Sequence, residues 1–171
     1  MAPGNRPSWL AHLRDILILP FTVTCIVPYW IYDPQNLFMN PHLAMKMAGF
    51  LTGLGGLVLF LYTVFLFRIV GQGTLAPWSE KQKLVVIGPY RYCRNPMISG
   101  VLFVLLGEAL FTASPHILAW TALFVIINTI YFILAEEPSL ERQFGNEYRR
   151  YKQHVPRWLP RWYPYANDSG G

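Results

Sequence analysis

"AGFLTGLGGLVLFLYTVFLF", residues 48–67, contains no charged side chain. Its length matches the roughly 20 apolar residues a helix needs to cross a bilayer. Gly49, Gly53 and Gly56 recur within it at small-residue spacing, which lets a second helix approach closely. Three more apolar stretches flank this one. The first, about 16–30, is short and interrupted by Pro20 and Pro28. The third, about 97–113, holds one charge, Glu108. Ser114 and Pro115 then break the chain before a fourth, about 117–135, so the third and fourth form a tight helical hairpin. The chain has 171 residues, 53% of them hydrophobic and 13% charged. That charged share is about half the usual level for soluble domains. The sequence therefore predicts a single all-α integral membrane domain over residues 1–171, with about four transmembrane helices.

Charge sets the expected topology. Arg6 and Arg14 precede the first stretch; Arg68, Lys81, Lys83, Arg91 and Arg94 lie between the second and third. Arg142, Arg149, Arg150, Lys152, Arg157 and Arg161 follow the fourth, and only Lys46 falls on the other side. The positive-inside rule then places both termini and the 68–96 loop in the cytoplasm. An even number of spans agrees with that. The net charge of +5 is accounted for by topology and calls for no nucleic acid. Arg6 and Arg14 before an apolar run resemble a signal peptide, but no small-residue cleavage site follows, so a retained first helix is expected. Cys25 and Cys93 make neither a disulfide framework nor a zinc site. His12, His42, His116 and His154 are scattered, which predicts no metal centre. Gly71-Gln72-Gly73 lacks the third glycine of a dinucleotide fingerprint.

Two segments face the cytoplasm. One is the loop 68–96, ending in "GPYRYCRNP"; the other is the tail "EEPSLERQFGNEYRRYKQHVPRWLPRWYP", 136–164. Leu140, Phe144, Tyr148, Tyr151 and Val155 recur at helical spacing, which predicts an amphipathic helix on the membrane or over the loop. "VPRWLPRWYP" has the composition of a segment at headgroup level. Glu136 and Glu137 end the fourth span. They either cap a new helix starting at Pro138 or serve a ligand. Glu108 is an ionisable group inside a span, which is costly and usually faces protein or water. Asn128 either bonds across helices or lines a cavity.

"GPYRYCRNPMISG", a helical hairpin and "EEPSLERQFGNEYRRYKQHVPRWLP" together resemble the isoprenylcysteine carboxyl methyltransferase superfamily, a group related to phospholipid methyltransferases. The upstream "GQGTLAPW" is similar to its bacterial members, and the resemblance covers about 71–160. It implies an integral-membrane enzyme that encloses S-adenosylmethionine in its C-terminal half. The family's Arg-His-Pro motif falls on Arg94, Asn95 and Pro96, with asparagine standing in for the titrating imidazole. Its acidic pair falls on Glu136 and Glu137, its Phe-Gly-x-x-Tyr segment on Phe144, Gly145 and Tyr148, and its pocket-shaping turn on Gly88, Pro89 and Tyr90. Arg94 suits the donor's carboxylate, Glu136 or Glu137 its ammonium, and Tyr90 and Tyr148 its adenine and ribose, with Tyr151 on the same wall. Arg94 and Glu137 are the expected catalytic pair.

The resemblance predicts methyl transfer to a lipophilic, membrane-borne acceptor, an isoprenylcysteine-type carboxylate or related lipid, entering from the bilayer. Glu108 and Asn128 are the in-span polar candidates for the acceptor side. A phospholipid-amine or thiol acceptor is the nearest alternative. An NADPH-dependent sterol-type reductase and a non-catalytic membrane subunit stand further off.

Overall fold

Helices and their connections make up residues 18–70, 84 and 86–166, which are the residues the computed structural model describes. Arg6, Arg14, the beginning of the first predicted span and the loop carrying "GQGTLAPW" lie outside them. The first helix, α1 (Ile18–Ile31), contains both prolines without a break. A π-turn over Thr22–Ile26 shifts the backbone register just ahead of Pro28. Pro28 has no N–H to give. The Val23 carbonyl, which the π register would pair with it, instead accepts from Trp120 Nε1 at 3.0 Å. This is how a spanning-type helix tolerates proline in an apolar medium, by borrowing a donor from a neighbour.

The second helix, α2 (Leu43–Val70), extends well beyond the predicted 48–67, because Lys46 ends the apolar run without ending the helix. A 3₁₀ turn (Gly88–Arg91) leads into α3 (Pro96–Thr112). Ala113 adopts the left-handed conformation at φ 54° and ψ 29°, and the Ser114 side chain accepts from Ile117 N to start α4 (Pro115–Tyr131). The tight hairpin predicted from Ser114–Pro115 is present. The chain then passes through a second π-turn (Phe132–Glu136) into α5 (Glu137–Phe144). Pro138 follows that π-turn as Pro28 follows the first, so the helix does not restart at the proline but runs on from Pro115 to Phe144.

Two of these segments, Leu43–Leu66 and Pro115–Phe144, are long and apolar enough to cross a membrane. Four spans were expected; α1 and α3 are apolar but shorter. At 1.5 Å per residue the described part of α1 covers about 21 Å, against roughly 30 Å of hydrocarbon. Among the described residues two helices are of spanning length. Leu51, Leu54, Val58, Ile126, Ile127 and Leu134 are exposed on them, a surface suited to lipid.

Glycine fixes how the helices meet. A Cβ on Gly56 would lie 2.6 Å from Gly100 O, and one on Gly107 would lie 2.5 Å from Gly53 N. The small-residue stripe read from α2 therefore faces a matching stripe on α3. Beside it, Phe60, Val101, Leu105 and Phe124 form the buried core, with Val23 and Trp120 packed against them.

The tail is two helices, where one amphipathic helix was expected. Gly145, at φ 54° and ψ −126°, separates α5 from α6 (Asn146–His154). The apolar stripe nevertheless holds. Tyr148, Tyr151 and Val155 are buried with Leu140 and Phe144, and they cover Leu84 and Val86 of the loop.

Candidate active site

The turn before α3 and the tail after α6 build one end of the bundle together. Gly88 sits at φ +53°, where L-residues are strained, and a Cβ there would meet Leu66 Cδ2 at 3.1 Å. Pro89 opens the 3₁₀ turn and Pro96 opens α3, both in first-turn positions where a missing N–H costs nothing. Asn95 occupies the N-cap position of α3 with no side-chain capping bond, and its carbonyl accepts from Ser99 N at 2.9 Å. The tail runs antiparallel to this turn. Arg94 N donates to Pro156 O at 2.9 Å, Arg161 N to Tyr92 O at 3.0 Å, and Tyr165 N to Arg91 O at 2.9 Å.

Glu137 is the centre of the site. Its side chain is 7% exposed. Oε1 accepts from Arg94 Nη1 at 2.8 Å and from Arg157 Nη2 and Nε at 2.6 and 2.9 Å. Oε2 faces Lys152 Nζ at 2.8 Å, and Lys152 also reaches Glu141 Oε1 at 2.8 Å. Glu137, and then Glu141, hold the Lys152 ammonium above its ordinary range. Both oxygens of Glu137 are thus committed to cations. Arg94 is different, because its Nε is buried with no hydrogen-bond partner among the described residues.

The tyrosines wall this cluster. Tyr90, Tyr148 and Tyr151 are buried. Burial, with Glu136 nearby, pushes the Tyr90 phenol well up. Burial also raises Tyr148, while Arg94 beside it pulls in the opposite direction. Tyr151 donates to Tyr90 O at 2.6 Å, tying α6 to the 3₁₀ turn. Tyr151→Phe strands that buried carbonyl and is expected to cost about 1–2 kcal/mol in thermal or chemical denaturation.

Between this turn, α2 and the tail lies an apolar chamber of about 450 Å³, lined among others by Tyr62, Pro89, Cys93, Pro96, Ser99 and Trp158. Its two small polar groups are engaged by the tail. Cys93 Sγ donates to Arg157 O at 3.0 Å, and Ser99 Oγ donates to Trp158 O at 3.2 Å. Burial pushes the Cys93 thiol up, keeping it a protonated donor.

The structure brings Gly88, Pro89, Tyr90, Arg94, Asn95, Pro96, Glu136, Glu137, Tyr148 and Tyr151 to one end of the bundle. It leaves Glu108 elsewhere. Glu108 lies twelve residues past Pro96 on α3, about 18 Å along the axis. Asn128 Nδ2 turns back to Phe124 O on its own helix at 2.8 Å. Sequence reasoning missed Lys152 and Arg157 as members of the site, since topology already explained their charge. It also missed Trp158, expected at headgroup level. Its Nε1 donates to Thr129 Oγ1 at 3.1 Å and its ring packs on Phe132. The proline before Arg157 was the available signal, because it ends α6 and turns the next residues inward.

The described residues form an all-helical membrane protein in which the turn before α3 and the tail frame a charged, aromatic-walled site. Residues 44–147 match the phospholipid methyltransferase family, which is more than half of the chain. The chain belongs to that family, in keeping with the isoprenylcysteine carboxyl methyltransferase-like motifs, and it is a methyltransferase by descent. It is 42% identical over 65 residues to an uncharacterized protein of Haemophilus influenzae, covering 37% of this chain and all of that one. It is 35% identical over 75 residues to methanethiol S-methyltransferase 2 of Bradyrhizobium diazoefficiens, covering 42% of this chain and 27% of that one. Methanethiol S-methyltransferase 1 of the same organism is 36% identical over 74 residues, 42% of this chain and 24% of that one. The matched stretch thus amounts to about a quarter of each Bradyrhizobium enzyme. No solved structure matches the chain.

Proposed function

We propose that this protein transfers a methyl group from S-adenosylmethionine to a lipophilic acceptor at the Glu137 end of the bundle. The observation that carries the reading is Arg94. It is a buried guanidinium held on one side by Glu137, with Nε lacking a partner among the described residues. A buried, unpaired cationic donor is costly, and a donor carboxylate suits it. Glu137, saturated by Arg94, Arg157 and Lys152, is the positioning residue in this reading. Glu136 then takes the ammonium, and Tyr90 and Tyr148 flank the nucleoside. When bound, the donor supplies an electrophilic sulfonium methyl group. The protein's part is to orient it, to exclude water and to align an acceptor for in-line attack.

The apolar chamber fits the acceptor side. Among its described lining residues none is charged, so those residues supply neither a general base nor a counter-ion. A carboxylate acceptor needs no base, and a thiol enters the chamber uncharged, at less desolvation cost than an ammonium. An ammonium headgroup would first have to lose a proton. The lack of a general base among these residues therefore disfavours a phospholipid amine, and the lack of a counter-ion makes an uncharged thiol a better fit than a carboxylate. The names of the Bradyrhizobium relatives support the thiol.

Calorimetric titration tests the donor site. Wild-type protein is expected to bind S-adenosylmethionine and its demethylated product, and to give no heat with NADPH. Arg94→Ala is expected to weaken the donor at least tenfold; undiminished binding would defeat the assignment. With labelled donor, octanethiol or a prenylated cysteine should be methylated in preference to phosphatidylethanolamine.

A further inference from the structure

A second cavity lies between α1, α2 and α3 and shares no lining residue with the chamber above. It measures about 920 Å³ and is lined among others by Phe21, Cys25, Gly53, Leu57 and Val104, with Glu108 the charged residue of its lining. That volume is at the upper end of ligand-binding cavities, roughly 300–1,000 Å³. Glu108 Oε2 is buried in this region with no hydrogen-bond partner among the described residues. The nearby hydroxyls are committed to backbone. Thr112 Oγ1 donates to the Glu108 carbonyl at 2.7 Å, and Thr24 Oγ1 donates to Pro20 O at 2.8 Å. An acid kept in apolar surroundings without a partner is expensive, and nothing in the packing of the described helices requires one there.

We propose that this cleft binds a long-chain primary amine, with the ammonium on Glu108 and the alkyl chain along Leu54, Leu57 and Phe60. Charge complementarity selects the cation, and the apolar lining selects the chain. The described lining contains no Lys or Arg, so none of those residues would balance a phosphate attached to the amine, and a simple alkylamine suits them better than a phospholipid. Glu108 lies about 18 Å along α3 from Pro96, too far for an ammonium seated on it to meet a methyl donor held by Arg94. It is a separate binding site, and it stands whether or not the methyl-transfer reading does.

Native mass spectrometry of the full chain in a neutral detergent tests this with dodecylamine, dodecanol, dodecanoate and phosphatidylethanolamine. Wild-type protein is expected to retain one dodecylamine at concentrations where each other probe is retained at least tenfold less. Glu108→Gln is expected to lose that preference, and Arg94→Ala to keep it. Leu57→Trp, which fills the cleft while leaving the acid in place, should also abolish retention, and it decides the matter if Glu108→Gln fails to fold. Equal retention of the four probes, preference for phosphatidylethanolamine, or undiminished dodecylamine binding in Leu57→Trp would overturn the proposal.

Discussion

Glu137→Gln is expected to destabilise the protein by about 3 kcal/mol or more, the usual cost of stranding buried charge. The carboxylate accepts from Arg94, Arg157 and Lys152. An amide keeps one oxygen and turns two N–H donors toward groups that are themselves only donors. The three cations are not equally dependent on it. Lys152 is 37% exposed and has Glu141 in reserve, so its own removal should cost less than about 1 kcal/mol, as exposed pairs do. Arg94 and Arg157 are 11% and 20% exposed, and they bear the loss. Because Arg157 also begins the stretch that lies against Cys93 and Ser99, the tail should loosen from the 88–96 turn. Donor binding should then weaken more than tenfold through misplacement of Arg94. Denaturation in detergent, read by tryptophan fluorescence, checks the first effect and calorimetry the second. A double substitution, Glu137→Gln with Arg157→Met, should recover part of the lost stability by removing one stranded cation. A single variant as stable as wild type would show that the cluster is a superficial ion pair.

The sequence displays some of this architecture openly and hides the rest for physical reasons. Apolar runs, the Ser114–Pro115 hairpin and the glycine spacing on α2 follow from local chemistry, and the structure contains all three. Proline misleads in two places. Pro28 and Pro138 each follow a π-turn that absorbs the missing donor, and the carbonyl that Pro28 leaves unpaired is served by Trp120, 97 positions away in the chain. Gly145 interrupts the tail because its left-handed backbone ends α5, yet the apolar stripe passes across the break unaltered. The tail cations are the most instructive case. The topology expected from the positive-inside rule already gives Lys152 and Arg157 a reason to be basic, so nothing in composition separates them from Arg149 or Arg150. Only their convergence on Glu137 does so, and that depends on the antiparallel docking of residues 156–165 onto 91–94. Contacts between distant segments leave no periodic trace. The turn and acidic pair were recognisable because a family motif preserves their order.

Gly107→Ala is expected to destabilise the protein by about 1–3 kcal/mol, the cost of overpacking a close-fitted interface. The sign opposes intrinsic propensity, by which alanine gains up to about 1 kcal/mol over glycine in a helix. The difference lies in what the new methyl group meets. At Gly107 it would lie 2.5 Å from Gly53 N, 2.6 Å from Gly53 Cα and 2.7 Å from Gly49 O, all of them backbone atoms that no rotamer change can move. The helices must separate, and separation strips contacts from the whole α2–α3 seam. Gly55→Ala provides the control, since its Cβ would have nothing within 4 Å; that variant should be as stable as wild type or slightly more so. Gly100→Ala makes a similar clash, 2.8 Å from Gly56 O and Phe60 N, but only four residues from Pro96. Displacing α3 there shifts the turn that carries Arg94, whereas displacement at Gly107 is about 16 Å away along the helix. Both variants should lose stability, and Gly100→Ala alone should also lose donor affinity, by several-fold in calorimetry. If both lose affinity alike, α3 moves as a rigid rod and the seam positions the site along its full length; if neither loses stability, the glycines are not the surface on which these helices meet.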